Sequence, residues 1–186
     1  MAEVYAFLAD GFEVVEALAV VDVLRRGRVD VKTVSITGKK EVTCSHGVGV
    51  IADELFEDID PKEAKCLFLP GGKVGTDSLM ACKPLIAALK CAAADESRRV
   101  AAICAAPSVL GQNGILVGRQ ATCYPGFEDK LLEAEYVNTG VITDGNVTTG
   151  RGMGVSVDMG LELLALLRGQ ETSDRIRAQI QFPGTF

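Results

Sequence analysis

The chain has 186 residues, of which 48 % are hydrophobic and 24 % charged, a length and balance that fit one soluble domain with a full core. A net charge of -6 with no block of Lys and Arg argues against nucleic acid or an anionic membrane as its main partner. The single histidine, His46, and six cysteines without a Cys-x-x-Cys pair leave no tetrahedral zinc spacing, and no cofactor or metal is expected.

Val4 to Leu8 reads as a strand, and Met1 to Leu8, with an acid at Glu3 and only a short apolar run, reads as neither a secretory signal nor a membrane span. A cytoplasmic location is therefore expected, where free thiols are ordinary and disulfides rare. After Ala9-Asp10-Gly11, Phe12 to Arg26 carries Val14, Val15, Leu18, Val21 and Leu24 at helical spacing, with Gly27 as its stop. Val29 to Ile36 is the next strand. Val42–Cys44 and Val48–Ala52 form a small β-excursion around Ser45-His46-Gly47.

Cys66 to Leu69 is wholly apolar and ends in Pro70-Gly71-Gly72, as suits a buried parallel strand. Pro84 to Ala94 reads as a helix, Val100 to Ile103 as a buried strand, and Pro107 to Leu110 as the start of another helix. An irregular stretch begins at Thr122–Pro125. Val137 to Thr149 holds two short strands about an Asp144-Gly145-Asn146 turn, followed by helices over Val155–Leu167 and Glu171–Ile180. Strands alternating with helices predict one α/β domain over 1–186, a flavodoxin-like doubly wound, mostly parallel sheet with helices on both faces. Ligands of such sheets sit at the carboxyl ends of the strands. Here those ends are Ala9–Glu16, Pro70–Gly75, Ile103–Pro107 and Thr149–Gly154.

Ala101-Ala102-Ile103-Cys104-Ala105-Ala106-Pro107 has the form of a nucleophile elbow, with small residues that permit a sharp turn exposing Cys104. The helix that follows would favour the thiolate, the nucleophilic form. Cys44, Cys66, Cys82, Cys91 and Cys123 read as small core residues. His46 lies in a different β-excursion and reads equally as an exposed turn residue, so a Cys-His triad is disfavoured. Glu13 and Glu16 share one side of a first helical turn; either could be a desolvated, protonated acid beside Cys104, or a surface acid on the helix dipole. Pro70-Gly71-Gly72 lets backbone N–H groups approach a ligand as an oxyanion hole. Gly150-Arg151-Gly152-Met153-Gly154 resembles a dinucleotide loop only loosely.

The segments LADGFEVVE, VDVLRR, LPGG, AAICAAP and GRGMG together resemble the DJ-one/ThiJ/PfpI superfamily, most closely its DJ-one branch, over essentially the whole chain. The resemblance implies a homodimer, Cys104 as the catalytic cysteine, and Glu16 as the protonated glutamate beside it. It implies Gly72 and Ala105 N–H groups as oxyanion donors, with Gly71, Tyr124 and Pro125 at the substrate. Arg26 corresponds to an arginine near the dimer interface, and Glu13 to a structural glutamate. Two departures stand out: Tyr124 precedes Pro125 where a histidine is common, and His46 stands where an arginine can occur. A phenol positions a substrate but is no base near neutral pH. The implied activity is a cofactor-independent glyoxalase or deglycase acting on small α-oxoaldehydes, methylglyoxal to lactate, through a hemithioacetal on Cys104. An oxidative-stress sensor or redox-regulated chaperone is the alternative. A peptidase is weaker, since Ala105 stands where the protease branch has histidine.

Overall fold

A computed structural model describes residues 2–183, so the domain expected over 1–186 extends beyond the described residues at 1 and 184–186. Its strands are β1 (Val4–Leu8), β2 (Val31–Ser35), β3 (Glu41–Thr43), β4 (Gly49–Ile51), β5 (Glu54–Leu55), β6 (Cys66–Leu69), β7 (Arg99–Ile103), β8 (Gln120–Ala121), β9 (Glu135–Tyr136), β10 (Val141–Asp144) and β11 (Val147–Gly150). The α-helices are α1 (Val14–Arg26), α2 (Lys73–Ala81), α3 (Lys83–Ala93), α4 (Pro107–Gln112), α5 (Ser156–Arg168) and α6 (Gln170–Gln179).

Seven strands form one sheet in the order β10-β11-β7-β6-β1-β2-β5, parallel except for the β10–β11 hairpin. The α/β class and mostly parallel sheet expected from the sequence are what the chain forms. β1, β6 and most of β7 are buried along their length because helices cover both faces, which is why they read as unbroken apolar runs. Alternate side chains feed two cores. Val4, Ala6, Phe68, Ala101 and Ile103 pack with α1 and α5, while Phe7, Leu67, Leu69, Val100 and Ala102 pack with α3 and α4. The β3–β4 hairpin closes a third cluster, in which Leu8, Phe12 and Ala17 meet Val42, Cys44 and Ala52.

β1 is followed by β2 on one side and by β6 on the other, so the topology reverses at β1. A crevice opens there at the carboxyl ends of β1 and β6. Helix α2 is absent from the sequence reading, which left Pro70–Gly75 as a loop. Its Gly75, Thr76 and Ser78 are weak helix formers. Tertiary packing holds it: a Cβ on Gly75 would lie 2.8 Å from the Phe12 nitrogen. The two-residue strands β5, β8 and β9 are too short for a periodic signal. Among the cysteines read as core, Cys91 on helix α3 is exposed and Cys82 at its cap is half-buried, whereas Cys44, Cys66 and Cys123 are buried.

Candidate active site

Cys104 follows β7 directly and adopts φ 65°, a left-handed conformation that a side chain bearing Cβ rarely takes. Two hydrogen bonds fix it. Its N–H donates to the Gly150 carbonyl at 2.8 Å, and its carbonyl accepts from the Tyr124 N–H at 2.8 Å. Ala105 and Ala106 are buried immediately after it. Strain of this kind, about 1–3 kcal/mol, persists only where surrounding structure imposes it. The elbow expected from small flanking residues is thus present in the backbone.

Glu16, in the first turn of α1, is fully buried. Its Oε2 accepts from the Gly71 N–H at 2.8 Å. Oε1 is buried without a regular hydrogen-bond partner, and the Cys104 thiol is near enough to share hydrogen bonding and charge with the carboxyl group. A Cβ placed on Gly71 would lie 2.7 Å from the Cys104 Cβ and 2.7 Å from Glu16 Oε2, so this glycine is the spacer between thiol and acid. Gly72, at φ +90°, turns the chain into α2, and a Cβ there would meet the Gly11 carbonyl oxygen at 2.3 Å. The N–H groups of Ala105 and Gly72 lie close enough to the sulfur to favour its anionic form.

Burial pushes Glu16 up to about 7, and the Glu13 carboxylate adds to that rise; hydrogen bonds from Cys104 and Gly71 oppose it. Burial also pushes the Cys104 thiol up to about 12, reinforced by the charge of Glu16, against the Ala105 and Gly72 N–H groups. Helix α4 has only six residues and begins three positions beyond the sulfur, and burial of the thiol opposes what its N-terminus contributes toward the thiolate. A proton shared between the two groups and held on Glu16 would remove the charge that raises the thiol and leave a hydroxyl to donate to the sulfur.

A cleft of about 460 Å³ opens over Cys104, lined also by Glu13, Gly72, Lys73, Tyr124, Phe127 and Met153. Glu13 caps α1, donates its N–H to the Gly71 carbonyl, and accepts from Ser45 Oγ at 3.1 Å. It therefore separates from Glu16: one acid lies at the rim and the other in the interior. The remaining candidates fall in different places. Tyr124 is half-exposed at the mouth of the cleft. Pro125 borders an adjoining depression with Arg151 and Gly152 rather than the space over the sulfur. Gly71 touches Glu16 and Cys104 from behind and is absent from the lining. His46 is largely exposed on the hairpin turn, with Nδ1 3.0 Å from Ser45 Oγ and 3.7 Å from Glu13 Oε2. Arg26 is paired with Asp22 at 2.7 Å, at the far end of α1 from Glu16, and does not reach the cleft of its own chain. The Gly150–Gly154 segment forms no nucleotide loop; it pins Cys104 through Gly150 and supplies Met153 to the lining.

Three lining residues were not among the sequence's site candidates: Lys73 and Met153 lie within the strand ends Pro70–Gly75 and Thr149–Gly154, whereas Phe127 carries no local signal.

The model of the DJ-1/PfpI family matches residues 2–166. Protein DJ-1 homolog B of Arabidopsis thaliana is 40 % identical over 166 residues, which are 88 % of this chain and 38 % of that protein. The chain spans less than half the length of this and a second plant relative. A protein of Caenorhabditis elegans named glutathione-independent glyoxalase DJR-1.2 is 29 % identical, over 88 % of this chain and 87 % of its own length. The structure of oxidised DJ-1 from Toxoplasma gondii superposes with a TM-score of 0.93 at 30 % identity, covering 98 % of this chain and all of that one.

Proposed function

The chain belongs to the DJ-1/PfpI family, and from that premise we propose that it is a cofactor-independent glyoxalase, converting small α-oxoaldehydes such as methylglyoxal to 2-hydroxycarboxylates. The observation that carries this reading is the buried Glu16 carboxyl, poised near neutrality beside a thiol held in a strained elbow. The name of the nematode relative supports the same chemistry.

The Cys104 sulfur adds to the aldehyde carbon, and the carbonyl oxygen, stabilised by the Gly72 and Ala105 N–H groups, takes the proton from Glu16. The product is a hemithioacetal. The Glu16 carboxylate then removes the hydrogen on that carbon and delivers it to the neighbouring carbon, while the hydroxyl proton passes to the second oxygen. This gives a thioester of the 2-hydroxy acid. Water cleaves the carbon–sulfur bond, releasing the carboxylate and restoring the thiol. No electron acceptor enters, because one carbon is oxidised as its neighbour is reduced. A group with a pKa of about 7 suits this role, since it gives and takes a proton at similar cost. Removal of early carbonyl adducts, the deglycase activity, would follow from consumption of the free aldehyde.

The test is incubation of the chain with methylglyoxal and no glutathione, following consumption and lactate together. One lactate per methylglyoxal consumed is expected. If no lactate appears although peroxide adds two oxygens selectively to Cys104, the sensing role replaces the enzymatic one.

A homodimer is part of the proposal. Helix α1 presents Val15, Leu18, Asp22 and Arg26 along one outer stripe, and the β3–β4 hairpin exposes Val48 and Ile51. In such a dimer Arg26 and His46 would stand within reach of the second copy. Light scattering is expected to give twice the 19.7 kDa chain mass, and Leu18→Arg to return it to one. A monomeric wild type would remove both residues from any partner's site.

A further inference from the structure

Glu13, Glu16 and Lys73 are the titratable groups that line the Cys104 cleft with the thiol itself and Tyr124, and Lys73 is the only cation among them. It is the first residue of α2, where a positive side chain opposes the helix dipole, normally a loss of about 0.3–1 kcal/mol. Among the described residues its ammonium group makes no ion pair, although the chain as a whole has an excess of acids. Glu13, the acid that shares the lining, is already engaged by Ser45 Oγ and faces His46. Glu16 is buried and holds the Gly71 N–H. An exposed cation on the rim of the sulfur's cleft, adverse to its own helix, has a use when an anion enters.

We propose that Lys73 is a specificity-determining residue that directs the Cys104 cleft toward carbonyl compounds carrying a carboxylate, the class of 2-oxo acids, and holds the carboxylate generated on the way to product. The product half of this inference rests on the glyoxalase reading; the preference for anionic electrophiles rests only on Cys104 being the reacting group. Glyoxylate is the simplest member of the class. Its aldehyde adds to sulfur with a C–S bond and a hydroxyl, as the neutral dialdehyde glyoxal does. The resulting hemithioacetal already bears a carboxylate where the proton shift would need a carbonyl, so it reverts and glyoxylate acts as a reversible inhibitor.

The first readout does not depend on turnover. Iodoacetate and iodoacetamide differ in charge at nearly constant size, and each alkylates sulfur with loss of iodide. Intact-mass kinetics on Cys104 are expected to show the iodoacetate-to-iodoacetamide rate ratio falling roughly five- to tenfold in Lys73→Met, the scale of one ionic contact at a partly exposed site. Lys73→Arg should keep the wild-type ratio. Salt at about 0.5 M should erase most of the difference between wild type and Lys73→Met, because the charge stands at the mouth. The second readout is glyoxylate inhibition of methylglyoxal turnover, its inhibition constant expected to weaken about tenfold in Lys73→Met and to be kept in Lys73→Arg. An unchanged alkylation ratio in Lys73→Met overturns the proposal even if methylglyoxal is turned over. A lowered ratio without any lactate formation sustains the anion preference and refutes the glyoxalase reading alone.

Discussion

Cys104→Ala is expected to bring methylglyoxal-to-lactate conversion to the uncatalysed background, and Glu16→Gln to lower kcat by about 10²–10⁴, the range for losing a general acid–base group. The two changes should not add. Without sulfur no hemithioacetal forms, so the Cys104→Ala, Glu16→Gln double variant should be no slower than Cys104→Ala alone. Gln at position 16 keeps an oxygen for the Gly71 N–H, so the fold should survive. It cannot carry the shared proton, and the Cys104 alkylation rate should change its pH dependence accordingly. In the wild type that dependence should show a step near the Glu16 value of about 7; in Glu16→Gln the step should vanish. Retention of full activity in Glu16→Gln would move the acid–base role elsewhere, with Glu13 the next carboxyl in the cleft.

The same carboxyl group links stability to pH. Its folded-state value of about 7 lies above the ordinary 4.5, so the native state binds this proton more tightly than the unfolded chain does. The associated stability is fully present below about 4.5 and is lost as pH rises toward 7, roughly 3 kcal/mol for a shift of this size. Glu16→Gln removes this dependence. Denaturant midpoints of the variant and wild type should therefore diverge in the variant's favour between pH 5 and pH 8 (values set about the two pKa limits).

Gly71→Ala is expected to damage the thiol–acid pair directly. The added carbon would lie 2.7 Å from both the Cys104 Cβ and Glu16 Oε2, and 3.0 Å from the Ile103 carbonyl. None of these is the loose end of a flexible side chain: the elbow is pinned by Gly150 and Tyr124, and Glu16 is held in the interior. Overpacking of a rigid site costs about 1–3 kcal/mol, and parting thiol from acid by a fraction of an ångström lowers activity by about 10². Thermal unfolding and kcat measured on one preparation separate the two effects. A control at Gly49, where an added Cβ meets nothing within 4 Å and the backbone is not left-handed, separates the packing clash from the general effect of Gly→Ala. Gly71→Ala with wild-type kcat would mean that thiol and acid do not need the spacing seen here.

The sequence by itself determined most of the architecture. β1, β6 and β7 are short apolar runs between helix-length segments, and only a sheet covered on both faces accommodates such strands. The elbow was equally visible, because a sharp turn after a buried strand needs the alanines that flank Cys104. Local patterns stopped short wherever a property depends on distant chain. Glu13 and Glu16 are equivalent in a helical pattern; they differ because the carbonyl of Gly71 takes the N–H of one and its N–H takes the side chain of the other. Helix α2 was hidden for a related reason, its stability coming from the Gly75–Phe12 contact rather than from its own residues. How strongly burial opposes the thiolate was likewise out of reach, because a helix N-terminus can be read from sequence, whereas desolvation of a sulfur in a cleft lined by Phe127, Met153 and Tyr124 cannot. Tertiary structure decided the protonation chemistry, since desolvation and charge act through space between residues that lie 88 positions apart in the case of Glu16 and Cys104.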